Sequence, residues 1–231
     1  MLPFDPMYLL FAAPGLLLSL WASSRVRSAF DHYSQVPNQH GYSGAAAARQ
    51  LLDDAGLRNV QIVETGGYLS DHYDPVQRRL ALSSAVFHGR SLAAVGVATH
   101  EAGHALQHAA GYFPLWLRSA LVPTVGIGSS LGYFIMAIGL FVSPWLVIAG
   151  AALFSLVLLF QVVTLPVEFD ASNRAKRLVV DAGIIEPRER EGIDAVLNAA
   201  ALTYVAAAIS TLSVLLYYLF RAGVFNSNSR D

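Results

Sequence analysis

The chain of 231 residues contains no cysteine. That excludes disulfide frameworks, thiolate metal sites, iron–sulfur clusters and cysteine nucleophiles, so any metal must be held by imidazole and oxygen. Charge is scarce as well: 13% of residues are Asp, Glu, Lys or Arg, against roughly 25% in an average soluble domain. Neither sign dominates, since 15 Lys and Arg face 16 Asp and Glu for a net charge of −1. A strongly basic nucleic-acid binder is thereby excluded. What is abundant is apolar. A hydrophobic content of 55% and a mean hydropathy of +0.47 rule out intrinsic disorder.

The apolar residues are gathered into runs. No Asp, Glu, Lys, Arg or His occurs from Leu121 to Val167. A bilayer core about 30 Å thick needs about 20 apolar residues in a helix, so this stretch suffices for two crossings. Ser143-Pro144 supplies a turn signal near its middle. The expected arrangement is a transmembrane hairpin over 121–165, with helices at 121–142 and 145–165. Two further spans are expected at 6–24 and 195–220. The first lacks a basic residue ahead of its apolar stretch and a small-x-small cleavage site, and is read as a retained helix rather than a signal peptide. Four crossings put 13 of the 15 Lys and Arg on one side, leaving Arg221 and Arg230 for the other. The excess of basic residues on the inside makes the first side cytoplasmic.

The polar segments are 25–112 and 166–194, with a flexible tail at 221–231. Ser43 is placed to cap a helix over 45–55 that stops at Gly56, and Ser91 to cap one over 91–110 that stops at Gly111. Residues 59–64 and 78–83 alternate as strands, with a loop over 66–75 between them. Pro166 and Pro187 are each read as opening a helix, because a first-turn N–H has no partner to lose.

The helix over 91–110 contains His100-Glu101-Ala102-Gly103-His104. Two imidazoles four residues apart point the same way, about one turn apart, and both can reach one Zn2+ at about 2.0–2.1 Å. Glu101 is rotated by about 100° from His100, so it flanks the metal and is placed as a general base toward a metal-activated water. Small Ala102 and Gly103 let another element approach closely. A third protein ligand is needed, with a fourth position left open. The candidates are His108, His88, His72 or a carboxylate. Three ligands on one straight helix cannot close around an ion, so His108 is assigned to a supporting or lipid-interface role. Glu168 is favoured, at the start of the helix after the third span, with Asp170 able to serve instead.

Leu69-Ser70-Asp71-His72-Tyr73-Asp74-Pro75, Leu82-Ser83, HEAGHALQHA and Pro166-Val167-Glu168-Phe169-Asp170-Ala171-Ser172 together resemble the neutral zinc metallopeptidase family of bacterial membranes. The likeness is to gluzincins, among them the HtpX-like membrane peptidases. The resemblance implies a mainly α membrane protein whose four transmembrane helices carry a small α+β zincin-like catalytic domain on the cytoplasmic side. It implies Zn2+ on His100, His104 and Glu168, Glu101 as the catalytic base, and endoproteolysis of polypeptides at or in the lipid bilayer. Many gluzincins carry Asp four residues after the ligand Glu, where this chain has Ser172. Orientation of the metal-bound imidazoles then falls to Ser172, Asp170 or Asn173. Oxyanion donors are sought among His72, Tyr73, Asn173 and Arg174, and the 78–83 strand is expected as an exposed edge for an extended peptide. Two rival readings are an intramembrane zinc protease taking Asp194 as third ligand and a non-catalytic zinc-binding protein. The sequence names no natural substrate and no oligomeric state.

Overall fold

The computed structural model describes residues 5–225. The elements in order are α1 (Pro6–Ser34), α2 (Gly44–Asp54), β1 (Gln61–Thr65), β2 (His72–Asp74), β3 (Arg79–Ser83), α3 (Ser84–Phe87), α4 (Leu92–Ala109), α5 (Phe113–Val142), α6 (Pro144–Asp181), a 3-10 turn (Pro187–Glu189) and α7 (Arg190–Arg221). The protein is mainly helical with one small mixed sheet. Two compact units are formed, one from Ser23–Trp116 with Pro166–Leu202, the other from Met1–Ala22, Leu117–Leu165 and Thr203–Asp231.

In the first unit, the sheet order is β1-β3-β2. β1 runs parallel to β3, with Gln61 opposite Arg79, and β2 runs antiparallel to it, with His72 opposite Ala81. The strand expected as an exposed edge is therefore the central one. β2 lies inside the stretch expected to be a loop: three residues are too few for alternation to register, and pairing with β3 makes the strand. α2 and α4 begin as the capping residues dictate. The Ser43 hydroxyl accepts from the Ala46 N–H at 3.2 Å and the Ser91 hydroxyl from the Ala94 N–H at 3.2 Å, which satisfies donors that a helix start leaves orphaned. α4 stops just before Gly111, whose φ is +63°. Leu51, Leu52, Leu80, Leu82, Val95, Ala98, Ile193 and Leu197 share one buried core. Each fully buried Leu, Ile or Val contributes about 1.5–3 kcal/mol. Arg49 pins α2 to the start of the sheet by donating to the Val60 carbonyl at 2.7 Å and the Leu57 carbonyl at 3.0 Å.

The second unit has its own core of Met136, Val147, Phe154, Leu215 and Tyr217. Its outward residues are also apolar: Leu10 is 66% exposed, Leu17 65%, Phe134 62% and Trp145 79%. A water-soluble surface rarely shows apolar residues so densely, whereas lipid accepts them. α1, α6 and the segment Pro187–Arg221 are each long and apolar enough to cross a membrane. α5 is bent by 45° between Phe113–Gly126 and Gly128–Val142 and would count as a further span if the bent pair is one.

Three helix limits differ from expectation. α1 continues to Ser34, ten residues past the expected span. α5 begins at Phe113, before the apolar run. Pro166 does not open a helix, because α6 runs through it without a break from Pro144 to Asp181. Proline removes one N–H donor, a loss that long membrane helices tolerate. From residue 226 onward, the tail expected over 221–231 lies outside the described residues.

Candidate metal centre

Two helices bring the donors together. α4 carries His100 and His104 one turn apart, with ring centroids 4.8 Å from each other and planes at 82°. α6 carries Glu168, whose Oε2 lies 3.2 Å from His100 Nε2 and 3.5 Å from His104 Nε2. One ligand atom from each of the three lies within 4.8 Å of the others, and this is the only such group among the described residues. Close approach of the helices is what permits this. A Cβ on Gly103 would stand 2.7 Å from the Ala171 carbonyl oxygen, so α4 meets the α6 backbone where a side chain is missing.

Burial is deep. The His100, His104 and Glu168 side chains retain 13%, 9% and 3% of their exposure. Burial alone would push the Glu168 carboxyl up, but hydrogen bonds from His100 and His104 outweigh it and hold the group far below the usual carboxylate range. For His104, burial favours the neutral ring, but the hydrogen bond to Glu168 and the charges of Glu101 and Glu168 win and raise its pKa. The site is thus one of negative potential that draws a positive charge to the imidazole nitrogens. The donor set fits zinc. Tetrahedral ligands at about 2.0–2.1 Å from an ion lie roughly 3.3 Å from one another, close to the two separations found here.

Glu101 is buried on the same helix, adjacent in sequence to His100, and its carboxylate makes no hydrogen bond among the described residues. The remaining histidines are elsewhere. His108 Nδ1 is 2.8 Å from the Tyr73 hydroxyl, His88 is paired with Glu64, and His72 Nδ1 is 2.9 Å from the Ser70 carbonyl. Asp194 faces Lys176 Nζ at 3.9 Å and Arg190 Nε at 3.6 Å and is not part of the group that His100, His104 and Glu168 form. Of the residues considered as oxyanion donors, Tyr73 bonds His108, Arg174 donates to Asp170 at 2.6 Å, and Asn173 is exposed.

Comparison with known proteins fits this geometry. A family model described as "Putative neutral zinc metallopeptidase" matches residues 8–223. The chain belongs to that family. It is also 44% identical over 225 residues to "Putative membrane protease YugP" of Bacillus subtilis (strain 168), covering 97% of each chain. No solved structure matches it. Membership in this peptidase family implies zinc as the metal, peptide-bond hydrolysis as the activity and a polypeptide as substrate.

Around the three donors stand residues of two kinds. Ser172 Oγ is 3.1 Å from His100 Nδ1, so a hydroxyl stands behind that imidazole. His104 Nδ1 is 3.0 Å from the Gln107 Oε1, a contact that sequence reasoning missed. The readable signal was spacing: Gln107 lies three residues after His104 and therefore on the same face of α4.

Proposed function

We propose that this protein is a gluzincin-type zinc endopeptidase of the bacterial inner membrane. His100, His104 and Glu168 hold the metal and Glu101 acts as general base and then general acid. The observation that carries this reading is the meeting of two imidazoles on one helix with a buried carboxylate on another, Glu168 lying 64 residues beyond His104 in sequence. Bound zinc supplies Lewis acidity, polarising the scissile carbonyl and bringing the pKa of water toward about 7. Glu101 takes a proton from the attacking water and delivers it to the leaving amine. Its place beside His100, with no side-chain hydrogen bond among the described residues, leaves both carboxylate oxygens available for that exchange. Glu168 stays ionised as a ligand, because the same hydrogen bonds that depress its pKa are ones a cation can replace.

The membrane reading has four spans: α1, the bent α5, the apolar part of α6, and α7. The distribution of Lys and Arg supports a cytoplasmic active site. Peptide substrates at that position are membrane or juxtamembrane proteins. The test uses purified protein and an unfolded polypeptide. Glu101→Gln should keep zinc and lose cleavage by about 10²–10⁴-fold, while His100→Ala should lose both. Full activity in purified Glu101→Gln would overturn the proposal.

A further inference from the structure

A metal-binding imidazole must offer the lone pair of one particular nitrogen, and its other nitrogen must then carry the proton. Around His104 the structure contains enough information to say what makes that choice. The Gln107 side chain is fully buried and touches three groups. Its Nε2 donates to the Val167 carbonyl at 2.8 Å and to Asp170 Oδ2 at 2.8 Å. A backbone carbonyl and a carboxylate can only accept, so the amide nitrogen must face them. The amide oxygen is then turned to His104 Nδ1, and an amide oxygen also only accepts. Nδ1 therefore bears the hydrogen, and the lone pair of the neutral ring falls on Nε2, the atom that faces Glu168. Arg174 Nε, 2.6 Å from the same Asp170 oxygen, keeps that carboxylate in position behind the amide. His100 lacks such a device. Its Nδ1 partner is the Ser172 hydroxyl, which gives or takes a hydrogen with equal ease and so chooses nothing.

We propose that Gln107 is a positioning residue that selects the Nδ1–H tautomer of His104 and aims Nε2 at the metal, with Asp170 and Arg174 holding the amide the right way round. The proposal rests on the metal-site reading above. Gln107 touches neither metal nor substrate in this scheme. Because the same amide donates to α6 while accepting from α4, it also ties the helix that carries Glu168 to the helix that carries the imidazoles.

The test measures zinc affinity of the full chain in detergent by competition with a chelator, together with the visible spectrum of the cobalt-substituted protein. Gln107→Leu fills the space but offers no acceptor, and should weaken zinc binding by about 10–100-fold. Gln107→Glu keeps an acceptor for His104 but sets a second carboxylate against Asp170, and should weaken it to a similar degree. The cobalt ligand-field bands of Gln107→Leu should shift, because the ring is then free to present either nitrogen, whereas Leu52→Ala, a cavity in the buried core of the same unit, should lower stability and keep the parent spectrum. Such a split is not expected of a residue that merely fills the core. Parent-like zinc affinity in Gln107→Leu would overturn the proposal, as would a parent cobalt spectrum in that variant. Glu168→Ala, measured alongside, separates the two levels. If it keeps zinc, the metal-site reading falls and this one with it; if it loses zinc while Gln107→Leu does not, only the role of Gln107 falls.

Discussion

The two helices that supply the candidate ligands are specified in different ways. α4 is 18 residues long, capped by Ser91, closed before Gly111, and carries both imidazoles at a spacing that helix geometry alone makes productive. α6 is 38 residues long, is mostly apolar before Glu168, and ignores the proline that local rules would make its start. The difference shows that a pair of ligands on one helix is a local property, whereas the third depends on the register of a long element against a neighbour. The contact at Gly103 and Ala171 and the amide of Gln107 set that register within this unit. Neither belongs to the metal's own ligand set.

Each helix can be challenged in turn. The largest effect is expected from the long helix: Glu168→Ala should reduce zinc affinity by more than the roughly 10–100-fold that outer-shell changes cost, measured by metal analysis after dialysis. Loss equal to that of His104→Ala would show that the distant ligand matters as much as the local pair. Gly103→Ala comes next. With the added methyl 2.7 Å from the Ala171 carbonyl oxygen, it should cost about 1–3 kcal/mol and lower zinc affinity. Gly96→Ala, where the nearest atom would be 3.4 Å away on Ile193, should be neutral or better, because Ala favours helix by about 1 kcal/mol. Thermal denaturation of the two variants compares them directly.

The pH dependence of the metal-free protein tests the same junction. Glu168 is depressed on folding, so its contribution is present above the usual value near 4.5 and is lost as pH falls toward the folded value. His104 is raised, so its contribution is present below about 6.5 and is lost as pH rises through the folded value. Both describe one interaction and are not counted twice. Metal-free protein should therefore be most resistant to denaturant between those two values, and zinc should extend resistance to higher pH by displacing the proton. A stability profile flat from pH 4 to pH 8 would contradict the pairing. Ser91→Ala should cost about 1 kcal/mol through loss of the cap. Pro166→Ala should stabilise rather than destabilise, because it restores the helical N–H that proline lacks, with zinc content unchanged.

Much of this was legible from residues alone, and the exceptions have physical causes. Ser43, Ser91 and Gly111 announced their helices because caps are local. The HEAGH spacing placed the imidazoles for the same reason, and Glu168 could be singled out as the carboxylate lying beyond an uncharged excursion. Pro166 misled because a proline is read as a boundary in water, whereas a long apolar helix has no cheaper way to satisfy its backbone and runs on. β2 was hidden by its length, and its presence moved 78–83 from the edge of the sheet to the centre. Gln107 was overlooked because attention goes to ionisable side chains, and an amide between two histidines looks like filler until its partners on α6 are known.

The hydroxyl and the amide behind the two imidazoles have a consequence for charge. Neither is an anion, so little electron density is pushed into the rings, and the only formal negative charge among the three donors is that of Glu168. A divalent ion seated there would keep a surplus of one positive charge, which the Glu101 carboxylate acting on the same imidazole offsets. Glu101→Gln removes that offset, so compounds that present an oxyanion should gain affinity for this variant over the parent, while neutral chelating groups of the same shape should not.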